Sequence, residues 1–146
     1  MNNTPRLLLR LKCLKMCKYV IICVDDDPMI NLLLNFQLNK IVNSSTTCIE
    51  TYSNPKEIYS QIENFISIGV KPILLIVDYL MPEMNGDELI LKVKEKYPNI
   101  PCVMLSGQSN SIAINQLKKD KLLSEFIEKP WNEETLATVV NSYIDI

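Results

Sequence analysis

The run ILLIVD, Ile73–Asp78, decides the fold of this 146-residue chain. Five apolar residues without alternation describe a strand buried on both faces, as the centre of a parallel sheet is, and the run stops on a carboxylate. Upstream, YVIICV (Tyr19–Val24) repeats the pattern and ends on Asp25, Asp26 and Asp27, after which Pro28 suits the first turn of a helix reaching about Lys40. Between these strands lies a short alternating one, Thr46–Thr51, followed by Asn54-Pro55 and a helix with Ile58, Ile62, Phe65 and Ile66 on one face. Downstream, Asp87–Lys96 carries Leu89, Ile90 and Val93 at helical spacing. CVML (Cys102–Leu105) then halts at Ser106-Gly107, and a helix from about Ser109 to Lys119 follows. A short strand, Glu125–Ile127, leads into Lys129-Pro130 and a last helix from about Asn132 to Tyr143. Strand and helix alternate five times, which predicts one α/β domain with a doubly wound parallel sheet.

The composition supports a packed globular core: 47% of residues are hydrophobic and 22% charged, with a net charge of −2. Residues 1–18 carry Arg6, Arg10, Lys12, Lys15 and Lys18 and no acid, so the rest of the chain is more acidic than the total suggests, and no basic footprint for nucleic acid is present there. The five cysteines, Cys13, Cys17, Cys23, Cys48 and Cys102, form no CxxC pair and no histidine exists to join them at a zinc site. They are expected to be reduced thiols of a cytoplasmic protein. The missing histidine also excludes His-based acid–base chemistry and an internal phosphohistidine. In LLLRLKCLKMCK (7–18) the longest apolar run is three residues, so neither a signal-peptide core nor a membrane span is expected. Residues 1–17 are expected to be a basic extension, disordered or ahead of the true start.

In an open parallel sheet the ligand site lies beyond the carboxyl ends of the strands. Asp25 and Asp26 follow strand one, Asp78 ends strand three, Ser106 ends strand four and Lys129 follows strand five. Three carboxylates brought together oppose one another's ionisation unless a cation joins them. With no His or Cys in the set, Mg²⁺ is the cation of choice. A hydroxyl and an ammonium around one Asp suit charge on a transferring phosphoryl group, which makes Asp78 a nucleophile that forms an acyl phosphate.

VDDDP (24–28), LLIVDYLMPEMNG (74–86), VMLSG (103–107) and FIEKPW (126–131) together resemble a response-regulator receiver domain, over roughly residues 18–143. The resemblance implies a flavodoxin-like five-stranded sheet in the order 2-1-3-4-5 with five helices, and a receiver domain over 18–146. It implies that Asp78 is the phospho-acceptor. Asp26 would bind Mg²⁺ directly and Asp25 more through water, with the backbone carbonyl of Leu80 as the other protein ligand. Ser106 and Lys129 would bond the phosphoryl oxygens, and Phe126 would be an aromatic switch on the output face. The donor would be a sensor histidine kinase or phosphotransfer protein. Since no output motif follows, a downstream protein would read the strand 4/strand 5 face, as for the single-domain chemotaxis-type regulators. An aspartate-nucleophile phosphatase, by contrast, places a second Asp two residues beyond its nucleophile, where this chain has Leu80. Leu80 and Gln108 supply no carboxylate to activate water, so self-dephosphorylation is expected to be slow to moderate. Asp27 is expected to cap the first helix, Pro82 and Gly86 to shape the loop after Asp78, and Trp131 to pack at the start of the last helix.

Overall fold

The computed structural model describes residues 17–107 and 112–144. Five strands form one parallel sheet: β1 (Tyr19–Val24), β2 (Thr47–Tyr52), β3 (Lys71–Asp78), β4 (Cys102–Ser106) and β5 (Glu125–Glu128). Their order is β2-β1-β3-β4-β5, the doubly wound order expected from the motifs. The helices are α1 (Pro28–Ile41), α2 (Ile58–Ser67, entered through a 3₁₀ turn at Pro55–Glu57), α3 (Gly86–Lys96), α4 (Ile112–Lys119) and α5 (Glu133–Tyr143). The helix expected from Ser109 is described from Ile112 onward, and the basic segment 1–16 lies outside the described residues.

Side chains alternate across the strands and build two apolar layers. Val20, Ile22, Leu75, Val77 and Met104 face α2, α3 and α4, while Ile21, Cys23, Leu74, Ile76 and Val103 face α1 and α5. Every residue from Pro72 to Asp78 is buried, which explains why that strand reads as a continuous apolar run.

Local chemistry starts the helices where the sequence indicates. Asp27 caps α1 by accepting a hydrogen bond from Met29 N at 2.9 Å, with Pro28 at the first helical position. Asn132 caps α5 by accepting from Thr135 N at 2.7 Å. Ile66 departs from expectation: Ile58, Ile62 and Phe65 face the sheet, but Ile66 sits to the side of that stripe in the last turn and is exposed. The cysteines also require a correction. Cys17 and Cys48 are joined in a disulfide, their Cα atoms 6.1 Å apart, between a residue just ahead of β1 and the second residue of β2. Cys23 and Cys102 are free, buried thiols, and burial pushes Cys102 up to about 11.

Candidate functional site

β1, β3, β4 and β5 end side by side, so the polar residue that terminates each strand arrives at one edge of the sheet. Ligand oxygens of Asp25, Asp26 and Asp78 lie within 4.8 Å of one another. Lys129 enters from the end of β5, and its Nζ donates to Asp25 Oδ2 at 2.8 Å and to Asp78 Oδ1 at 2.9 Å. Ser106, the last residue of β4, is buried and lies in register with Glu128, next to Lys129. The Lys129–Pro130 peptide is cis.

Burial divides the two acids after β1. Asp25 is 1% exposed and both its oxygens are engaged, Oδ1 accepting from Asp27 N at 2.9 Å and Oδ2 from Lys129. Asp26 faces solvent. Of the three acids Asp26 is the one open to solvent, while Asp25 and Asp78 are buried. The donor set contains carboxylate oxygens and no sulfur or imidazole, which fits a hard divalent cation such as Mg²⁺.

Asp78 is 7% exposed, and its carboxyl is pushed up to about 6. Burial is the largest cause. The negative charges of Asp25 and Asp26 add to it, and the bond from Lys129 opposes it. Burial works against the Lys129 ammonium, but hydrogen bonds to Asp25 and Asp78 outweigh it and hold that group above its ordinary value. The pocket thus gathers three carboxylates around one ammonium.

Three supporting residues shape the site. Asn31, on the buried face of α1, donates through Nδ2 to Asp25 O at 2.8 Å and to Tyr52 O at 3.0 Å, tying the acidic loop to the end of β2. Only a polar residue at a buried helical position could have flagged it in the sequence. Gly86 packs so tightly on Asp78 that an added Cβ would strike the Asp78 carbonyl oxygen, and its N–H donates to Tyr79 O at 2.7 Å. It serves the close approach read from MNG. Trp131 Nε1 donates to Gln37 Oε1 at 2.8 Å, which fixes the indole against α1. Phe126 is half-buried against Met104's layer, with Lys118 Nζ 4.9 Å from its ring centre. Leu80 lies two residues past Asp78 with its side chain exposed.

A family model described as the response regulator receiver domain matches residues 21–141. The hybrid signal transduction histidine kinase D of Dictyostelium discoideum is 28% identical over 130 residues, covering 85% of this chain but 8% of that protein. The autoinducer 1 sensor kinase/phosphatase LuxN of Vibrio harveyi is 28% identical over 126 residues, and the chain spans 13% of its length. A 14.6 kDa protein of Leptolyngbya boryana is 30% identical over 125 residues, covering 84% of this chain and 88% of that one. Among solved structures, the chemotaxis protein CheY4 of Vibrio cholerae superposes with a TM-score of 0.72 at 22% identity, over 88% of this chain and all of that one. A protein from Neptuniibacter caesariensis superposes with a TM-score of 0.73 at 27% identity, over 86% and 87%.

Proposed function

The chain belongs to the response regulator receiver domain family of two-component signalling, and from that premise we propose that it is a cytoplasmic, Mg²⁺-dependent phosphoryl acceptor that takes its group on Asp78 from a phosphohistidine donor. The observation that carries this reading is the Lys129 ammonium bridging Asp25 and Asp78 beside the exposed Asp26. An ammonium thus already stands at the Asp78 carboxylate, where the phosphoryl oxygens would arrive.

Mg²⁺, held by Asp26, Asp78 and the Leu80 carbonyl with Asp25 behind, would supply charge neutralisation for the incoming phosphoryl group. Asp78 Oδ attacks phosphorus in line with the leaving nitrogen. Lys129 turns from the Asp78 carboxylate toward the new phosphoryl oxygens, and the Ser106 hydroxyl at the end of β4 closes on the same group. Movement of Ser106 is passed to Phe126, because β4 and β5 are hydrogen-bonded neighbours in which Met104 pairs with Phe126. The β4–β5 face then changes its affinity for a downstream protein. The only chemistry catalysed is on the chain itself, its own phosphorylation and dephosphorylation.

Incubation with phosphoramidate tests this directly. Wild-type protein should acquire one phosphate with Mg²⁺ and none after chelation, and Asp78→Asn should acquire none. Labelling of Asp78→Asn at the wild-type level, or labelling unaffected by chelation, would overturn the assignment.

A further inference from the structure

We propose that the N-terminal segment 5–16 folds back as a helix along the outer face of α1 and covers it, a strap of the chain's own that any macromolecule approaching that face must displace.

α1 is apolar on both sides. Leu34 and Leu38 are buried against the sheet, yet the opposite side carries Met29, Leu32, Leu33 and Phe36, which are 68%, 65%, 42% and 58% exposed. Spacings of three, four and seven residues put them on one stripe, and from Pro28 to Asn39 the helix bears no charge. Lys40 Nζ sits 4.2 Å from the Phe36 ring centre and leaves the rest of the stripe open. On α2 and α3 the strongly exposed large apolar residues are single ones, Ile66 and Leu91. Four on one helix exceed the scattered exposure normal for a surface.

The chain supplies a matching stripe. Thr4-Pro5 has the form of a helix start, a capping hydroxyl followed by proline at the first helical position. In the residues that follow, Leu7, Leu11 and Leu14 recur at spacings of four and three, with Leu8 at the edge of their stripe, while Arg6, Arg10, Lys12 and Lys15 fall outside it. Leu7 and Leu14 are one heptad apart, as Met29 and Phe36 are, and that shared spacing lets two helices interlock side by side.

The root of the segment lies at the matching end of α1. Cys17 is held to Cys48 by the disulfide, and the next residues, Lys18 and Tyr19, line one cleft of about 690 Å³ together with Ile41 and Val42, where α1 stops. At about 1.5 Å per residue, a helix over 5–16 rises about 18 Å, close to the roughly 21 Å of α1. The segment therefore runs parallel to α1, setting Leu14 near Phe36, Leu11 near Leu32 and Leu33, and Leu7 near Met29.

Charge agrees with this direction. The segment carries Arg6, Arg10, Lys12 and Lys15 and no acid, and its first turn reaches the start of α1, where Asp26 and Asp27 are exposed. The stripe itself has no charge to bury, so covering it incurs no desolvation of ions. Because it is tethered, the segment meets the stripe at an effective concentration on the order of millimolar. A second copy of the chain has no such advantage, and a separate protein must outcompete the strap to reach α1.

Hydrogen exchange on the full chain tests this. Backbone amides of residues 7–16 should exchange at least about tenfold more slowly than in a synthetic peptide of residues 1–16. Leu32→Asp on α1 and, separately, Leu11→Asp on the segment should return them to the peptide rate, while the amides of β3 keep their protection. Each variant should also lower the melting temperature, and the double variant should fall no further than the worse single one, since both break one contact. Exchange at the peptide rate in wild type, protection that survives Leu11→Asp, or additive losses in the double variant would overturn the proposal. A wild-type chain that sediments as a dimer, and as a monomer once Leu32→Asp is made, would overturn it too by giving the stripe to a second copy.

Discussion

Replacing Asp78 with asparagine should make the metal-free protein more stable, although it destroys the acceptor. Burial, with Asp25 and Asp26 nearby, raises the Asp78 carboxyl from 3.8 to about 6 even with Lys129 bonded to it. The native state therefore holds this proton more tightly than the unfolded chain does. The favourable contribution is complete below about pH 4 and is lost as pH rises through about 6. A shift of roughly two units corresponds to about 3 kcal/mol at most, and solvent reaching the pocket mouth reduces this to about 1–3 kcal/mol. The amide introduced by Asp78→Asn keeps an acceptor oxygen for Lys129 and carries no charge. Thermal melts of both proteins in chelator should show the variant higher by roughly 3–10 °C at pH 7.5, with the gap closing toward pH 4.5. Adding Mg²⁺ at pH 7.5 should raise wild type more than the variant, because the bound cation neutralises the charge that the substitution removed. A variant less stable than wild type at pH 7.5, or a gap that ignores pH, would refute the reasoning.

Other perturbations follow from the same contacts. Gly86→Ala puts a methyl group against the Asp78 carbonyl and should cost about 1–3 kcal/mol in denaturant titration, as overpacking does, while slowing phosphoramidate labelling through a displaced acceptor strand end. Asn31→Leu removes the side-chain donor to the Asp25 carbonyl and leaves the Tyr52 carbonyl with Asp25 N, which should lower stability by about 1–3 kcal/mol; calorimetry should also find weaker Mg²⁺ binding, and unchanged binding would show that Asn31 does not position the acidic loop. Alkylation of the denatured, unreduced protein should modify Cys23 and Cys102, with Cys17 and Cys48 protected until a reductant is added.

The fold and the polar cluster were legible because both are written in adjacent residues. Each strand is an apolar run, and Asp25, Asp78, Ser106 and Lys129 stand at or immediately after the ends of such runs; a parallel sheet then brings those ends to one edge. What depends on burial was not legible. Asp25 and Asp26 are equal as letters, but the first turns inward to Lys129 and the second stays in solvent. Asn31 and Gln37 look like ordinary polar helix residues until α1 is packed, when one holds the acidic loop and the other holds Trp131. Pairing of Cys17 with Cys48 joins residues 31 positions apart that meet only once β1 and β2 lie side by side, which no local spacing encodes. Ile66 fits the helical period of α2 but lies in its last turn, beyond the width of the stripe that the sheet covers.

The central claim is that Asp78 alone forms the acyl phosphate. Borohydride converts an aspartyl phosphate to homoserine and leaves a free carboxylate untouched, so reduction of the phosphoramidate-treated protein followed by peptide mass spectrometry reads the acceptor directly. Homoserine at position 78, formed only with Mg²⁺ present, is the predicted result. Homoserine at position 25 or 26, or its formation in chelator, would contradict the account.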